Sequence, residues 1–520
     1  MNNDKPKNVI SIFEQAHSCQ KNENWADAII LYTNIIKLTP SMMEAHHNLA
    51  ICLRKNGNLQ GALKCARTAQ KLNTNSSLTN FSLAIIYEKL NLPIKAIKYY
   101  TKAIEFSPDY FEALNNLGRL LERDGQLENA IETLKRAQSI KPKSPSVNIN
   151  IANYYIETGQ PHEAYALLKP FLDKKLKLSR DILAIVSNTM GVISMVLGNV
   201  TTALTYFQRA IQYTPNFAEA HENLALILLA KLEYSKGWEE YEWRSQNKSD
   251  YEEKRWKGEP LKDKTLLVYT EQGYGDIIQF IRLISQIEKN GGNIILACPE
   301  PLIALLNNHP DIDGVTNIND ISITFDYFVP LLSIPNILKI NLSNIDGKPY
   351  IFAAPKITKK LYSAITKYKI GLTWSGRTQN ENDPYRNRSC SFHDILPIFE
   401  QYSDTSFVIL QHKYNQDVEN LIKDRSNISN LSGSLGDIKQ TASIISDCDL
   451  IISIDTYMAH LAGAMGIATW VILPFTPNWR WLGNQTAMWY PKTRLYRQKS
   501  PGAWVEPVDR IIKELKDLIL

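Results

Sequence analysis

Three polar segments in the second half of this 520-residue chain hold the residue types that handle phosphates and protons. The first is Glu271-Gln272-Gly273-Tyr274-Gly275-Asp276, lying between an apolar run and a helical stretch with apolar positions Ile277, Ile281, Ile284 and Ile287. Glycines there let the backbone turn tightly and approach a ligand, and Asp276 falls at or near the helix N-cap. Asp is also a preferred cap with no ligand at all, so this segment alone is a weak signal. The second, Asp455-Thr456-Tyr457-Met458-Ala459-His460-Leu461-Ala462-Gly463-Ala464, stands at another strand-to-helix turn. Helix N-terminal N–H groups suit a diphosphate, Thr456 adds a hydroxyl, and His460 four positions later shares its helix face. The small residues around it keep the helix slim enough to pack closely on a sheet or to admit a ligand. The third, Trp374-Ser375-Gly376, leads into a polar loop ending Arg386-Asn387-Arg388-Ser389. Its guanidinium groups can grip phosphate oxygens in bidentate fashion, or be neutralised by Glu381 and Asp383. Pro474 to Trp481 adds aromatic rings, which serve equally as sugar or base platforms and as packing.

Rigid elements must present these turns. Short β-rich runs at Leu266 to Thr270, Asn293 to Cys298, Phe325 to Pro330 and Pro349 to Phe352, with a helix over Ile277 to Glu288, predict one small α/β unit. A second unit is expected from strands at Lys369 to Trp374, Ser406 to Gln411, Asp449 to Ile454 and Ala468 to Pro474. Two doubly wound units in tandem make a cleft at the carboxyl ends of their strands. Val508 to Leu518 reads as an amphipathic closing helix.

The first half repeats itself. Ala28, Ala62, Ala96, Ala130, Ala164 and Ala203 recur at 34, 34, 34, 34 and 39 residues. Gly57, Gly125, Gly159 and Gly198 each precede one of these alanines by five positions, where the turn between two helices calls for positive φ. Pro40, Pro108, Pro142 and Pro215 mark the ends of second helices. Such a period means stacked helix pairs, six full repeats from about residue 9 to 217 and a closing pair from Ala218 to Arg244 without a new repeat signature. The interval of 39 contains a lysine-rich surface loop near Asp173 to Asp181. The adjacent His46 and His47 read as a solvated helix face, and Asn48, Asn80, Asn115 and Asn223 as matching first-helix positions that line a groove or simply face water.

Composition sets the frame. With 44% hydrophobic and 21% charged residues the chain is ordinary globular protein, long enough for three or four domains. No apolar run approaches a membrane span and the N-terminus has no apolar leader, so neither insertion nor secretion is expected. Six scattered cysteines without a CxxC pair fit a reduced, cytoplasmic chain with no metal site. The net charge of +5 lies wholly in residues 1 to 250, and no dense basic stripe of the nucleic-acid-binding kind is expected.

The 34-residue pattern resembles the tetratricopeptide repeat family, which implies a surface that holds a peptide or protein. Read together, E-Q-G-x-G-D-x-x-Q-F (Glu271 to Phe280), W-S-G (Trp374 to Gly376), R-x-R-S (Arg386 to Ser389), D-T-x-x-A-H-L-A-G-A-x-G (Asp455 to Gly466) and P-x-x-x-N-W-R-W (Pro474 to Trp481) resemble the bacterial proteins in which such repeats precede a heptosyltransferase-like domain. The plan is also similar to that of protein O-linked N-acetylglucosamine transferases. The resemblance implies an α-solenoid over residues 9–244, a linker over 245–263, and two Rossmann-like domains of the glycosyltransferase B-type fold over 264–360 and 361–500, with a terminal helix over 501–520. It implies a metal-independent glycosyltransferase that needs no cofactor beyond its nucleotide-sugar co-substrate and acts on a protein or glycan acceptor. By the same resemblance Asp276 is the catalytic base. Gly273, Gly275, Gln279, Trp374, Ser375, Gly376, Arg386, Arg388, Gln411, Asp455, Thr456, Ala459, His460, Pro474 and Trp481 are then donor-binding positions. A catalytically inactive repeat scaffold and a nucleotide-sugar epimerase are the alternative readings.

Overall fold

The computed structural model describes residues 4–245, 251–319, 322–352, 368–376, 388–402, 404–481 and 486–519. The chain forms two compact units, Met1–Thr189 and Met190–Leu520. Its first half is a series of helix pairs: α1 (Asp4–Lys21) with α2 (Trp25–Leu38), α3 (Met43–Lys55) with α4 (Leu59–Leu72), α5 (Ser77–Lys89) with α6 (Pro93–Phe106), and α7 (Phe111–Arg123) with α8 (Leu127–Ile140). Then follow α9 (Pro145–Glu157) with α10 (Pro161–Leu168), α11 (Arg180–Val196) with α12 (Val200–Tyr213), and α13 (Ala218–Ala230) with α14 (Tyr234–Tyr241).

The repeated alanines are the crossing points of these pairs. All six are fully buried, and each first helix answers with a small residue at the same period: Ala16, Ala50, Ala84, Gly118, Ala152, Gly191 and Ala225. At Gly118 even a Cβ would stand 2.5 Å from Leu134 Cγ, which is why two helices can approach so closely there. Left-handed backbone recurs with the same spacing, at Glu23, Gly57, Asn91, Gly125, Gly159, Gly198 and Leu232, with φ between 55° and 84°. Four of the seven are the glycines that the turns call for. The other three show that tertiary packing imposes the turn even on residues that resist it.

Three expectations for this half are corrected. The closing pair α13 and α14 does carry the signature: Gly237 stands 34 residues after Ala203, and a Cβ on it would lie 2.8 Å from Leu229 Cδ2. Glycine had replaced the alanine that the pattern tracks. His46 is not solvated but buried, its Nε2 2.9 Å from the carbonyl of Pro40, and His221 makes the same bond to Pro215 at 2.8 Å. Asn80 and Asn148 occupy that position in other repeats and donate to the carbonyls of Thr74 and Pro142, so this side chain ties each first helix to the turn before it. The asparagines are therefore not equivalent. Asn48 donates to the hydroxyl of Tyr32, as Asn116 does to Tyr100, while Asn115 accepts from Asn150.

The second half alternates strand and helix: β1 (Thr265–Tyr269), α15 (Tyr274–Phe280), β2 (Asn293–Cys298), α16 (Glu300–Leu306), β3 (Gly314–Asn317), β4 (Tyr327–Pro330) and α17 (Ile334–Ile337). After these come β5 (Lys369–Thr373), α18 (Phe392–Gln401), β6 (Ser406–Ile409), α19 (Gln416–Ile422), β7 (Ile428–Asn430), α20 (Ile438–Ser446), β8 (Leu450–Ile454), α21 (Tyr457–Ala464), β9 (Thr469–Leu473), β10 (Thr486–Ala487), β11 (Tyr490–Arg497) and α22 (Val505–Ile519). The first sheet runs β3-β2-β1-β4, all parallel. The second runs β10-β11-β9-β8-β5-β6-β7, parallel except for the edge strand β10. Counted in chain order from β5, its parallel strands stand as 3-2-1-4-5-6, the order of doubly wound α/β sheets, and the first sheet has the 3-2-1-4 part of it.

The strand expected at Pro349 to Phe352 is instead an extended segment docked on the end of α21, with Tyr350 and Ile351 N–H groups donating to the carbonyl of Ala464. The helix expected over Ile277 to Glu288 is α15 followed by a 3₁₀ stretch, Ile281–Gln286. Strands β3, β7, β10 and β11 escaped the pattern because they are short or, in β11, interrupted by charged residues. One hydrophobic core joins helices of the last repeat (Ala225, Leu229, Trp238, Tyr241) to the first sheet and to the inner face of the second. Trp238 holds the joint: its indole N–H donates to Ile340 O at 2.8 Å and its ring meets Phe280 and Trp479 edge-on.

Candidate functional site

In a doubly wound sheet the place where neighbouring strands lead off in opposite directions leaves a crevice at their carboxyl ends. In the first sheet this lies beside β1, in the second between β5 and β8. All three polar segments fall there: Gly273 and Asp276 after β1, Trp374 to Gly376 after β5, Asp455 and Thr456 after β8.

The two sheets bring these turns against each other. A Cβ on Gly275 would lie 2.8 Å from Cδ2 of His460, so glycine is needed for α15 to reach α21. Asp276 is the third residue of α15; one oxygen accepts from the N–H of Gly273 at 3.1 Å and the other from Arg480 Nη2 at 2.5 Å. Arg480 is buried, anchored on Asn478 Oδ1 at 2.9 Å and lying over the Trp479 ring. Burial works against its charge, yet Asp276 first, then Tyr241 and Asp455, outweigh burial and hold its pKa above the ordinary value.

His460 is buried beside Trp481, with Nδ1 3.0 Å from the hydroxyl of Tyr490 and Nε2 3.9 Å from Asp455 Oδ1. Burial, and then the cations of Arg480, Arg388 and Arg282, push its pKa well below 6.5, so the imidazole is neutral. Thr456 caps α21 by position; its hydroxyl lies 3.2 Å from Ser453 Oγ and its methyl 3.4 Å from where a Cβ on Gly376 would stand. Arg388 flanks the same glycine, 3.5 Å from that point, and the Gly376 N–H donates to Ser389 Oγ at 3.1 Å. Asp276, Gly275, Gly376, Arg388, Asp455, Thr456, His460 and Trp481 are thus one constellation built from both sheets.

Other expected positions also make contacts within the protein. Gln411 staples the Trp374 turn, its Oε1 accepting from Thr373 Oγ1 and the N–H groups of Trp374 and Ser375 while its Nε2 donates to Ser375 O. Trp374 packs on Phe392 in the outer core, Ala459 is fully buried, and Pro474 is buried at the end of β9. Gln279 is fully buried and neither amide atom has a partner among the described residues; the indole N–H groups of Trp479, Trp481 and Trp489 share that condition. Such a set of unpaired polar atoms asks for water or a ligand. Arg386 lies outside the described residues.

Sequence reasoning gave no role to Arg480, Arg282, Tyr490 or Tyr241. Arg282 had a signal, a charge between Ile281 and Leu283 in an apolar helix; it donates to Trp489 O at 2.6 Å and lies over the rings of Tyr350 and Tyr490. Tyr490 and Tyr241 had none. Tyr241 comes from the last repeat, and its hydroxyl donates to Gln272 Oε1 at 3.2 Å. Next to it Arg244 pairs with Glu271 at 3.0 Å. The first two residues of the glycine motif therefore seat the last repeat on the first sheet.

Fold and site define a series of tetratricopeptide-type helix pairs continued by two α/β sheets of mainly parallel strands. Sequence-family profiles described as tetratricopeptide repeat match residues 43–76, 79–110, 99–132 and 191–236, the last covering α12, α13 and the start of α14. The chain is 25% identical to Protein FlbA of Caulobacter vibrioides over 95% of its own length and 88% of that protein's. It is 26% identical over 41% of its length to the probable UDP-N-acetylglucosamine–peptide N-acetylglucosaminyltransferase SPINDLY of Hordeum vulgare, and spans 27% of that protein. Among solved structures, a tetratricopeptide repeat protein of Parabacteroides merdae aligns with 47% of this chain and 95% of its own, at 16% identity and a TM-score of 0.42. Among the described residues no helix is long and apolar enough to cross a membrane.

Proposed function

We propose that the chain is a glycosyltransferase that moves a sugar from a nucleotide-sugar donor to a protein or glycan acceptor, with its two sheets in the glycosyltransferase B-type arrangement. The observation that carries this reading is the convergence, at the crevices of both sheets, of a carboxylate from one (Asp276) with a helix N-terminus, a hydroxyl and arginines from the other (Thr456, Arg388, Arg480). The partial similarity to a probable peptide N-acetylglucosaminyltransferase points the same way.

In this mechanism the acceptor hydroxyl attacks the anomeric carbon, forming the new C–O bond as the bond from that carbon to the diphosphate oxygen breaks. Asp276 takes the hydroxyl proton, and the diphosphate leaves with the bonding electron pair, stabilised by the arginines and the N–H groups of α21. His460, held neutral, adds no charge and serves as a hydrogen-bonding wall. The mechanism requires the guanidinium of Arg480 to turn from Asp276 to the diphosphate when donor binds, which frees the carboxylate.

The engagement of both Asp276 oxygens, one by Gly273 and one by Arg480, favours the rival reading of an inactive scaffold. Two measurements separate them. Calorimetric titration with nucleoside diphosphates tests the site; no binding by the intact chain overturns the proposal. Release of sugar from a panel of nucleotide-sugars tests the chemistry, and Asp276→Ala should lower it by about 10²–10⁴-fold, the usual contribution of a general base. An unchanged rate removes Asp276 from that role.

A further inference from the structure

The charge of this protein is far more local than its sum of +5 suggests. Residues 45 to 104 hold nine Lys and Arg (Arg54, Lys55, Lys64, Arg67, Lys71, Lys89, Lys95, Lys98, Lys102) and one acid, Glu88. This stretch is more positive than the whole chain, so the remainder is net negative. The structure then separates that one acid from the cations. Glu88 receives the hydroxyl of Tyr100 and pairs with Arg119 of the next repeat, while α4 and α6 present their cations elsewhere.

Lys64, Arg67 and Lys71 on α4, and Lys95, Lys98 and Lys102 on α6, follow the spacing that keeps side chains on one helix face. Direct geometry shows the two rows to be one patch. Arg67 donates to the hydroxyl of Tyr87 at 2.9 Å, Lys95 lies over the same ring at 5.7 Å, Tyr87 and Tyr99 stack at 5.3 Å, and Lys102 lies over Tyr99 at 5.8 Å. Lys64, Arg67, Lys71, Lys95 and Lys98 are exposed, and none of the five lysines has an acidic partner among the described residues. The patch has edges: where α4 and α6 carry Lys64 and Lys98, α2 carries Ile30 and α8 carries Glu132.

We infer that this second-helix face of the second and third repeats is a docking surface for an acidic segment of a partner protein. Charge complementarity selects an anion, and the rings decide its kind. Tyr87 is almost fully buried and Tyr99, half-buried, is stacked on it, so the pair does not offer the run of open ring faces on which successive bases of single-stranded nucleic acid stack. Nor is there a continuous apolar helix face to enter a bilayer: Ala96, Tyr100 and Ala103 of α6 are buried in the repeat core, and the exposed apolar side chains of α4 and α6, Leu72, Ile94 and Phe106, stand singly at helix ends. An extended or helical acidic peptide needs neither. This inference does not depend on the transferase reading.

The test uses the full chain and three fluorescent probes, a glutamate-rich 20-residue peptide, a single-stranded oligonucleotide of equal charge, and vesicles containing phosphatidylserine. The expected result is saturable peptide binding that weakens as salt is raised, falls at least about tenfold in Lys64→Glu/Lys98→Glu, and is retained in Lys135→Glu/Lys143→Glu, the same charge change on neighbouring repeats. Unchanged thermal unfolding in both variants shows the loss to be local. Equal weakening by both variants, tighter binding of oligonucleotide or vesicle than of peptide, or no peptide binding at all overturns the inference.

Discussion

Removing the guanidinium of Arg480 or the charge of Asp276 should each destabilise the second unit, and removing both should cost less than the two losses added. The side chains are 7% and 22% exposed and meet at 2.5 Å, so the pair is mostly shielded from water and salt. Breaking a buried pair by deleting one partner costs about 3–5 kcal/mol, because the other charge is left uncompensated. In Arg480→Gln the stranded carboxylate keeps the N–H of Gly273 and some water, which puts the loss near the low end, about 3 kcal/mol. In Asp276→Asn the stranded guanidinium keeps Asn478 and is almost out of water, so about 3–4 kcal/mol is expected. The double variant strands neither charge, and the cycle should return a coupling of about 2 kcal/mol. Urea unfolding followed by tryptophan fluorescence reads all four chains, since Trp479 lies directly under Arg480. Additivity within about 0.5 kcal/mol would show that the two side chains do not depend on each other and would refute the geometry on which the site is built. Nucleoside diphosphate should shrink the measured coupling if Arg480 turns to the phosphates, and should leave it unchanged if the pair is only structural.

His460 should stay neutral as pH falls through 6.5 in the folded chain, read from its ring proton shift; a midpoint near 6.5 would contradict its burial among three arginines. Because its folded pKa is depressed, the unfolded chain binds the proton first, so its stabilising contribution is complete above about 6.5 and is lost as pH falls from there toward the folded value; His460→Gln should flatten that slope. Leu232→Gly should raise stability by about 0.5–1 kcal/mol in thermal unfolding, because Leu232 holds φ of 64° while its side chain is 44% exposed and so gives up little packing. Deleting residues 1–179 should leave a folded chain, whereas deleting 1–215 should expose the core and aggregate. The longer cut removes Met195 and Gly198, which meet Thr476 and Phe475, and α12, which packs on α13. Light scattering of the two truncated chains decides between these outcomes.

That last contrast shows how the repeats divide. The last helix pair keeps the 34-residue spacing through Gly237, yet it belongs to the core of the sheets, through Trp238, Tyr241 and Arg244. Nothing in a local pattern distinguishes a helix that packs on its own kind from one that packs on a sheet. The glycine motif has the same ambiguity. Its Gly275 and Asp276 meet the second sheet, while its Glu271 and Gln272 reach back to the last repeat, at 3.0 and 3.2 Å.

What the sequence determined by itself is what depends on short-range physics. Small residues every 34 positions fixed the helix crossings, because only they let backbones approach. Apolar β-rich runs fixed most strands, and glycine with a polar cap at the strand ends marked the three turns that reach the crevices. Tertiary structure alone decided which charges meet. Asp276 and Arg480 are 204 positions apart, and Lys64 and Lys98 are one patch only because α4 and α6 share a face. It also decided that Gln411 staples the Trp374 turn, since a hydrogen bond to a carbonyl 36 positions away leaves no mark in composition or period. Charge pairing and burial are properties of three-dimensional neighbourhood, and the sequence records only the residues that can take part in them.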